Sequence, residues 1–321
     1  MKALKIIIGI LCTLVLFWVV VNIIPANKVC EENPWLGNGT TLISAHRGGS
    51  KLNPENTEKA FDYVILETDY CDIIEIDIQY TKDGVLVIHH DDYVNRMALE
   101  DQENKVYLKD LDYSELKNYN LGRNYIVQGE TEPRVYKDLS ISEAEDLGLT
   151  IMTLEEFLTK YKEARDFKLY LEIKPKDESG LKMIREVEEL LNSSKYSWWK
   201  DRTMIISFYD KGISYIIDEY EDQYVGALGY KIAPQLIGYI LRLDSLINVK
   251  YHSLQTKMVQ NLGPISANVA TERMVESCHA RNQSITFWTI NDRSDMEYLV
   301  SIKADVITTD CPNVLAEVLG K

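Results

Sequence analysis

The chain has 321 residues, of which 45% are hydrophobic and 26% are charged, so it is long enough for one large globular domain and is not expected to be disordered. Its formal net charge of −15 at pH 7 argues against a nucleic-acid partner. Binding along an extended phosphate backbone requires basic patches, and the sequence shows none.

The first predicted element is an apolar helix near the N-terminus. Residues 6–24 form a stretch without a charge, and a helix of that length spans about 28 Å, close to the thickness of a bilayer core. Lys2 and Lys5 precede the stretch, so the positive-inside tendency places residues 1–5 in the cytoplasm and the bulk of the chain outside. We expect a single-pass anchor in the cell membrane.

A cleaved signal peptide is the alternative, and it would leave a secreted protein. The apolar stretch is longer than the core of a typical signal peptide, and Pro25-Ala26-Asn27 offers no clear small-x-small cleavage site. Residues 25–40 combine prolines and glycines with little apolar periodicity. This composition predicts a linker that lifts the following domain off the membrane.

Beyond residue 40, short β-rich runs alternate with amphipathic segments, which is typical of a parallel sheet with crossover helices. The predicted strands are Thr41–Ala45, Ile73–Gln79, Val85–His89, Lys168–Ile173, Met204–Phe208, Tyr224–Leu228, Ile247–Tyr251, Ser284–Ile290 and Asp305–Thr308. The predicted helices are Thr57–Glu67, Thr153–Ala164, Gly180–Leu191, Gly212–Tyr220, Pro234–Leu243, Thr271–Arg281 and Arg293–Lys303.

The chain contains five cysteines, one of which, Cys12, lies in the apolar stretch. In an oxidising compartment the other four allow two disulfides in three connectivities, but we expect buried free thiols. No Cys-x-x-Cys spacing occurs, which argues against a zinc site. The four are Cys30, Cys71, Cys278 and Cys311.

Two acidic residues stand out in the second predicted strand. Glu75 and Asp77 are two positions apart, so both carboxylates leave the same face of the strand. Neighbouring anions repel unless a cation joins them, and oxygen ligands favour Mg²⁺, Ca²⁺ or Mn²⁺ over zinc. The pattern alone leaves open that both carboxylates face solvent.

Ordered motifs extend over almost all of the chain from residue 41 onward. They are Ile43-Ser-Ala-His-Arg-Gly48, Pro54-Glu-Asn-Thr57, Glu75-Ile-Asp77, Lys82-Asp-Gly84, His90-Asp-Asp92 with Arg96, Leu171-Glu-Ile-Lys174, Ser207-Phe208, Phe287-Trp-Thr-Ile-Asn291 and Asp305-Val-Ile-Thr-Thr-Asp-Cys-Pro312. In this order and spacing they resemble the glycerophosphodiester phosphodiesterase family. The resemblance implies an α/β fold, a (β/α)₈ TIM barrel over residues 41–321, preceded here by one transmembrane helix.

Nine predicted strands are one too many for such a barrel. The Lys82-Asp-Gly84 turn is typical of a hairpin, so we expect Val85–His89 to be the extra strand and to fold back beside Glu75. The segment 97–150 then follows as an insertion. It is predicted either to shape the pocket for the alcohol half of a substrate or to pack on the barrel as a surface segment.

The resemblance also implies the roles of eight residues and one divalent metal ion, Mg²⁺ or Ca²⁺. The metal ligands are Glu75, Asp77 and Glu172, the catalytic acid–base pair is His46 and His90, and the substrate-binding residues are Arg47, Lys174 and Trp288. Adjacent residues on a strand point to opposite faces, so His89 is expected to be a structural residue.

The reaction that the resemblance implies is hydrolysis of a small glycerophosphodiester to glycerol 3-phosphate and an alcohol. A lysophospholipid substrate is a second reading of the same site. A third is a catalytically silent binding barrel, whose signature would be the loss of a histidine or a metal carboxylate. The sequence leaves open the alcohol group, a cyclic phosphate intermediate and the oligomeric state.

Overall fold

The structure, a computed structural model, describes residues 2–127, 134–263 and 265–321. The strands are β1 (Leu42–Ala45), β2 (Ile73–Tyr80), β3 (Leu86–Ile88), β4 (Met152–Thr153), β5 (Lys168–Ile173), β6 (Thr203–Ser207), β7 (Tyr224–Ala227), β8 (Ser253–Thr256), β9 (Val259–Leu262), β10 (Ile265–Asn268), β11 (Ser284–Phe287) and β12 (Val306–Thr309). The α-helices are α1 (Lys2–Ile23), α2 (Glu58–Asp62), α3 (Asn95–Ala98), α4 (Tyr113–Leu116), α5 (Ile141–Asp146), α6 (Leu154–Lys160), α7 (Glu178–Asn192), α8 (Asp210–Glu219), α9 (Ala233–Leu241), α10 (Glu272–His279), α11 (Arg293–Ser301) and α12 (Pro312–Leu319).

Eight parallel strands form a closed barrel in the order β1, β2, β5, β6, β7, β8, β11, β12. The barrel closes because β1 pairs in parallel with both β2 and β12. One apolar cluster lies between the strands and the surrounding helices, and a smaller one fills the barrel interior. The fold is a TIM-type barrel, as expected from the resemblance.

The extra strand lies where the hairpin predicted it. β3 returns antiparallel to β2 through the Lys82-Asp-Gly84 turn, with Ile78 opposite Ile88. It then pairs with β4, which was not predicted. The excursion from β3 to β4 packs around its own small apolar cluster, and residues 128–133 of the predicted insertion lie outside the described residues.

The prediction of a strand over Ile247–Tyr251 is wrong, and the barrel strand there is β8. The side-chain amide of Asn27 hydrogen-bonds to both backbone groups of Val249: it donates to the carbonyl at 2.6 Å and accepts from the N–H at 3.1 Å. These groups are therefore not available for pairing with another strand. β8 itself reads Ser-Leu-Gln-Thr, and the polar Ser253 and Gln255 face the barrel interior, where the Ser253 hydroxyl lies 3.1 Å from that of Thr286. Apolar periodicity therefore did not reveal it. The hairpin of β9 and β10 and helix α12 were also not predicted.

The end of the barrel opposite the strand C-termini is filled by Trp35. Its side chain is fully buried and stacks on Tyr170 with ring centroids 5.1 Å apart. Residues 25–40 have no helix or strand, but they pack on the barrel, where Val29 donates a backbone hydrogen bond to Arg281. The composition of this segment predicts a free linker, but the segment is packed on the barrel. Burial of the large Trp35 ring holds it there, although its prolines and glycines are typical of turns.

Replacing Trp35 with alanine should destabilise the barrel by about 3–5 kcal/mol, because it removes a fully buried aromatic side chain and leaves a cavity. Urea unfolding of the full-length protein in detergent measures the change. Tyr230→Ala is the control, since Tyr230 is 89% exposed and its loss should cost less than about 0.5 kcal/mol. Equal midpoints for the two variants would contradict the packing described for Trp35.

All five cysteines are free thiols in the structure. Cys71 and Cys278 are buried, and burial raises the pKa of the Cys71 thiol to about 12. α1 is an uninterrupted helix whose apolar stretch, Ala3–Ile23, has a mean hydropathy of 2.8. Every side chain in this stretch except that of Val21 is exposed.

Candidate active site

The predicted site residues meet at the C-terminal ends of the barrel strands. Seven of the eight line one cavity of about 200 Å³, and the eighth, Asp77, is buried next to Glu75 and Glu172 with 1% of its surface exposed. The seven are His46, Arg47, Glu75, His90, Glu172, Lys174 and Trp288. Parallel strands bring residues that are far apart in sequence to the same rim, which is where TIM barrels carry their sites.

The floor of the cavity is a cluster of three buried carboxylates. Glu75 and Asp77 point inward from β2 and Glu172 from the neighbouring β5, and one oxygen of each lies within 4.8 Å of the others. Burial raises the pKa of Glu75 well above its ordinary value, and the charges of Asp77 and Glu172 raise it further. Burial also opposes ionisation of Asp77, but Lys174 and Arg47 outweigh it and hold that pKa below the usual range.

The carboxylate cluster fits a hard divalent cation. Glu75 Oε1 is buried and has no hydrogen-bond donor among the described residues, which is costly for an acceptor unless a cation satisfies it. Lys174 partly compensates the cluster, with its Nζ 2.7 Å from Glu172 and 3.2 Å from Asp77. Three carboxylates exceed the positive charge of this lysine, and oxygen ligands are those that Mg²⁺ and Ca²⁺ prefer.

A tight turn after β1 positions Arg47 over this cluster. Arg47 adopts a positive φ of 53°, which is uncommon outside glycine, and its backbone N–H donates to Glu75 Oε2 at 2.8 Å. Its guanidinium reaches Asp77 at 3.4 Å and Glu55 at 2.9 Å. Asn56, also at positive φ, donates its amide to Asp77 Oδ2 at 2.8 Å. Glu75 and Asp77 are thus held in fixed rotamers.

The two predicted catalytic histidines are each oriented by a carboxylate. The Nδ1 atom of His46 lies 2.6 Å from Asp310, and that of His90 lies 2.7 Å from Asp91. Burial opposes ionisation of both aspartates, but hydrogen bonds from the histidines and other donors keep each pKa below the usual range. An ionised carboxylate only accepts, so Nδ1 carries the proton and Nε2 is left for the cavity.

His89, by contrast, does not line the cavity. It is fully buried, and its Nε2 lies 3.2 Å from the Tyr93 carbonyl. The predicted strand Val85–His89 ends at Ile88 in the structure, so both histidines follow β3, and only His90 lines the cavity.

Several residues of the site carried no assigned role in the sequence. Glu55 bridges Arg47 and Arg96, and Arg96 continues to Asp91 at 2.6 Å, so a chain of ion pairs runs from the carboxylate cluster to His90. Asp310 is held by Ser50 and by the amide of Asn291, both at 2.6 Å. All of these except Ser50 lie in the ordered motifs, which was the only signal that could have found them.

One side of the cavity is apolar. Phe208 and Trp288 meet edge to face with ring centroids 5.7 Å apart, and Ile206 and Leu228 lie beside them. The cavity thus has a charged floor and a hydrophobic wall. None of the described residues of segment 97–150 lines it, so the surface-segment alternative agrees better with the structure.

Asp91→Asn should lower kcat by about 10²-fold, because the imidazole of His90 loses the carboxylate that orients it. This is the lower end of the roughly 10²–10⁴-fold contribution of a general acid or base. Asp92→Asn is the matched control, since Asp92 is the next residue and is exposed. Steady-state kinetics on both variants measure the effect. The role of Asp91 would be refuted by equal activity of the two variants, with KM unchanged.

Comparison with known proteins agrees with this geometry. The model of the glycerophosphoryl diester phosphodiesterase family matches residues 46–314. The chain is 29% identical over 284 residues to a glycerophosphodiester phosphodiesterase of Caldanaerobacter subterraneus subsp. tengcongensis. The aligned region covers 88% of this chain and 98% of that protein. It is 22% identical over 294 residues to the mouse lysophospholipase D GDPD3, covering 87% of this chain and 82% of that protein.

Solved structures show the same fold. A phosphodiesterase of Oleispira antarctica, solved with the product sn-glycerol-3-phosphate, superposes with a TM-score of 0.62 at 21% identity and covers 87% of this chain and 97% of that one. The family match, the barrel and the clustered motif residues lead to one conclusion. The protein is an enzyme that belongs to the glycerophosphoryl diester phosphodiesterase family.

Proposed function

We propose that this enzyme hydrolyses glycerophosphodiesters to glycerol 3-phosphate and an alcohol, with His46 and His90 as acid and base. The observation that carries the proposal is the pair of carboxylate-oriented imidazoles lining one small cavity above a carboxylate cluster. Two imidazoles suit the reaction because such groups exchange protons near neutral pH.

Glu75, Asp77 and Glu172 would hold the divalent cation, Mg²⁺ or Ca²⁺. When bound, such an ion offsets negative charge that develops on the phosphate oxygens. Arg47 and Lys174 line the same cavity, so they supply the cationic contacts for the phosphate. Trp288 offers an aromatic face to the glycerol carbons.

The proton transfers fall to the two histidines. One Nε2 removes a proton from the water or hydroxyl that attacks phosphorus, and the other Nε2 donates a proton to the departing alkoxide oxygen as its bond to phosphorus breaks. Asp310 and Asp91 keep each ring oriented through Nδ1 during these transfers. Each imidazole then returns to its starting protonation state by exchange with water.

The test is a product assay with the full-length protein in detergent. Glycerophosphocholine, glycerophosphoglycerol and lysophosphatidylcholine are supplied separately, and glycerol 3-phosphate, free alcohol and lysophosphatidic acid are quantified. Glycerol 3-phosphate from either glycerophosphodiester supports the proposal. Hydrolysis of neither glycerophosphodiester, with Mg²⁺ and Ca²⁺ each supplied, would refute it.

A lysophospholipase D activity is the second candidate, and the apolar wall of the cavity favours it. Phe208, Leu228 and Trp288 could contact the hydrocarbon part of a lipid substrate, and a relative bears the name lysophospholipase D. In the same assay, turnover of lysophosphatidylcholine to lysophosphatidic acid and choline would distinguish it.

We also propose that α1 anchors the enzyme in the cell membrane as a single span, with residues 1–5 cytoplasmic and the barrel outside. The length, hydropathy and exposure of the Ala3–Ile23 stretch support this, as do Lys2 and Lys5 at its start. Secretion after cleavage of the same segment is the alternative.

Mass spectrometry of the mature protein from membranes should find the N-terminus intact, because the apolar stretch lacks a clear cleavage site. Protease added to intact cells stripped of their wall should digest the barrel, while a tag placed before Lys2 stays protected. A mature N-terminus near Asn27 would instead identify α1 as a cleaved signal.

A further inference from the structure

A second apolar surface lies on the flank of the barrel, on helix α9. This helix, Ala-Pro-Gln-Leu-Ile-Gly-Tyr-Ile-Leu, contains no charged residue, and its one polar side chain, Gln235, is buried. Ile237, Ile240 and Leu241 point outward and are 48%, 38% and 56% exposed. The other long barrel helices have charged residues at outward positions, for example Lys182 on α7. An exposed face without polar groups indicates a contact outside the barrel.

This surface continues beyond both ends of the helix. Tyr230, which is 89% exposed, precedes α9 and lies two residues after Leu228 of the catalytic cavity. Leu246, 51% exposed, follows α9 at the opposite end of the barrel. We call the five residues Tyr230, Ile237, Ile240, Leu241 and Leu246 the α9 face. It therefore runs from the mouth of the cavity to the far end of the barrel.

The apolar N-terminal helix meets the α9 face at that far end. The side chain of Asn22 donates to the Arg242 carbonyl at 3.1 Å, and the Ser245 hydroxyl donates to the Val21 carbonyl at 2.6 Å. The last turn of α1 is thus hydrogen-bonded to the turn that directly follows α9. If α1 crosses a bilayer, this turn lies at the bilayer surface.

Along the chain, the segment that contains α9 carries more basic than acidic residues, with Lys250 lying 4.0 Å from Asp218 of α8 and Lys231 sharing a groove with Asp210. Between Asp222 and Glu272 the only acidic residue is Asp244, whose carboxylate is paired with Arg273 at 2.8 Å. Four basic residues occupy the stretch, in a chain whose net charge is −15: Lys231, Arg242, Lys250 and Lys257. A basic segment beside an apolar helix face matches a membrane with anionic headgroups, which attract such lysines and arginines.

We propose that the α9 face rests in the interfacial layer of the bilayer that α1 crosses, so that the barrel lies on its side with the cavity mouth beside the lipid headgroups. The inference rests on the proposed anchoring by α1. It adds a surface that the anchor alone does not require, because a tethered barrel could also turn away from the membrane. A second copy of the chain or another protein on this face is the competing outcome.

The test places an environment-sensitive fluorophore on the full-length protein in vesicles of phosphatidylcholine with roughly 30% phosphatidylglycerol. The exposed or half-exposed Cys12, Cys30 and Cys311 are changed to serine, and the buried Cys71 and Cys278 are kept. The fluorophore is attached through Leu241→Cys in one protein. Phosphatidylcholine spin-labelled near the headgroup then serves as the quencher for positions 241 and 66, and phosphatidylcholine spin-labelled near the end of its acyl chain serves as the quencher for Cys12, which lies near the centre of the span.

Leu66→Cys provides the matched control in the same background. Leu66 is 53% exposed, close to the value for Leu241, and it lies between β1 and β2, on the opposite side of the eight-stranded barrel from α9. A third protein keeps Cys12 as its only labelled cysteine, in the middle of α1. It reports separately whether the anchor is in the bilayer.

Quenching at position 241 should exceed that at position 66 several-fold, with Cys12 also quenched. Equal, low quenching at 241 and 66 with strong quenching at Cys12 overturns the α9 proposal while leaving the anchor in place. Low quenching at all three positions overturns both. Low lipid quenching at 241 together with crosslinking through this face to a second copy would assign the face to self-association and also overturn the proposal.

Discussion

Alanine at His46 or at His90 should each lower kcat by about 10²–10⁴-fold, the usual contribution of a positioned general acid or base. Both imidazoles line the cavity and both are oriented through Nδ1, so either substitution removes one of the two proton transfers. Neither residue belongs to the carboxylate cluster, so both variants should still bind the metal. Pre-steady-state and steady-state assays of product release measure the loss, and calorimetric titration with the metal checks its binding.

His89→Ala is the matched control for this experiment, because His89 is the neighbouring residue on the chain but is buried away from the cavity. Its loss should lower the unfolding midpoint and leave kcat of the folded protein nearly unchanged. The opposite result, an inactive His89→Ala protein beside an active His90→Ala protein, would mean that the register of the returning strand is wrong by one residue.

Removal of divalent cations should abolish turnover, and Mg²⁺ or Ca²⁺ should restore it. Three buried carboxylates lie within 4.8 Å of one another beside the cationic Lys174 and Arg47, and one oxygen of Glu75 has no donor among the described residues. Glu75→Gln should likewise abolish turnover at any metal concentration tested. Full activity in excess chelator, after dialysis, would contradict the metal requirement.

Glu188→Gln is the control for the loss of a buried glutamate. Glu188 is 1% exposed on α7 and pairs with Lys200 at 3.0 Å, outside the cavity. The variant should lose some stability but retain the kcat and the metal dependence of the original protein. A similar loss of activity in both glutamate variants would indicate general damage to the barrel and not the loss of a ligand.

The effect of the metal on stability should depend on pH, because the pKa of Glu75 is raised in the folded protein. A raised carboxyl pKa favours the folded state while the group is protonated. Metal-free stability therefore declines as the pH rises above the ordinary value of about 4.3 toward the raised one. A bound cation requires the ionised form, so added Mg²⁺ or Ca²⁺ should raise Tm more at pH 8 than at pH 5. An equal rise at both values would contradict the raised pKa.

Local sequence patterns were sufficient for many elements of the barrel. The alternation of Ile74, Ile76 and Ile78 with Glu75 and Asp77 predicted that both carboxylates share one face of the strand, because side chains on a strand alternate strictly between faces, but it left open whether that face points inward. The Asp-Gly turn likewise predicted the returning strand that directly precedes the adjacent histidines. These features depend on neighbouring residues alone.

Features that depend on residues far apart in the chain could not be predicted from local sequence patterns. β8 was missed because its inward side chains are polar and are satisfied only by strands far away in sequence, as Ser253 is by Thr286. The burial of Trp35 depends on the open end of a finished barrel. The segment around it therefore read as a linker.

By itself the sequence determined the order of the motifs and the apolar N-terminal segment, because each depends on residue identity and spacing, and the resemblance carried by those motifs supplied the candidate ligands and histidines. Only the tertiary structure decided which carboxylate supports which imidazole, since Asp310 reaches His46 across 264 positions of the chain. It also decided that the α9 face meets the end of α1. Both outcomes require barrel closure, which brings distant strands and loops together and which no local pattern of side chains encodes.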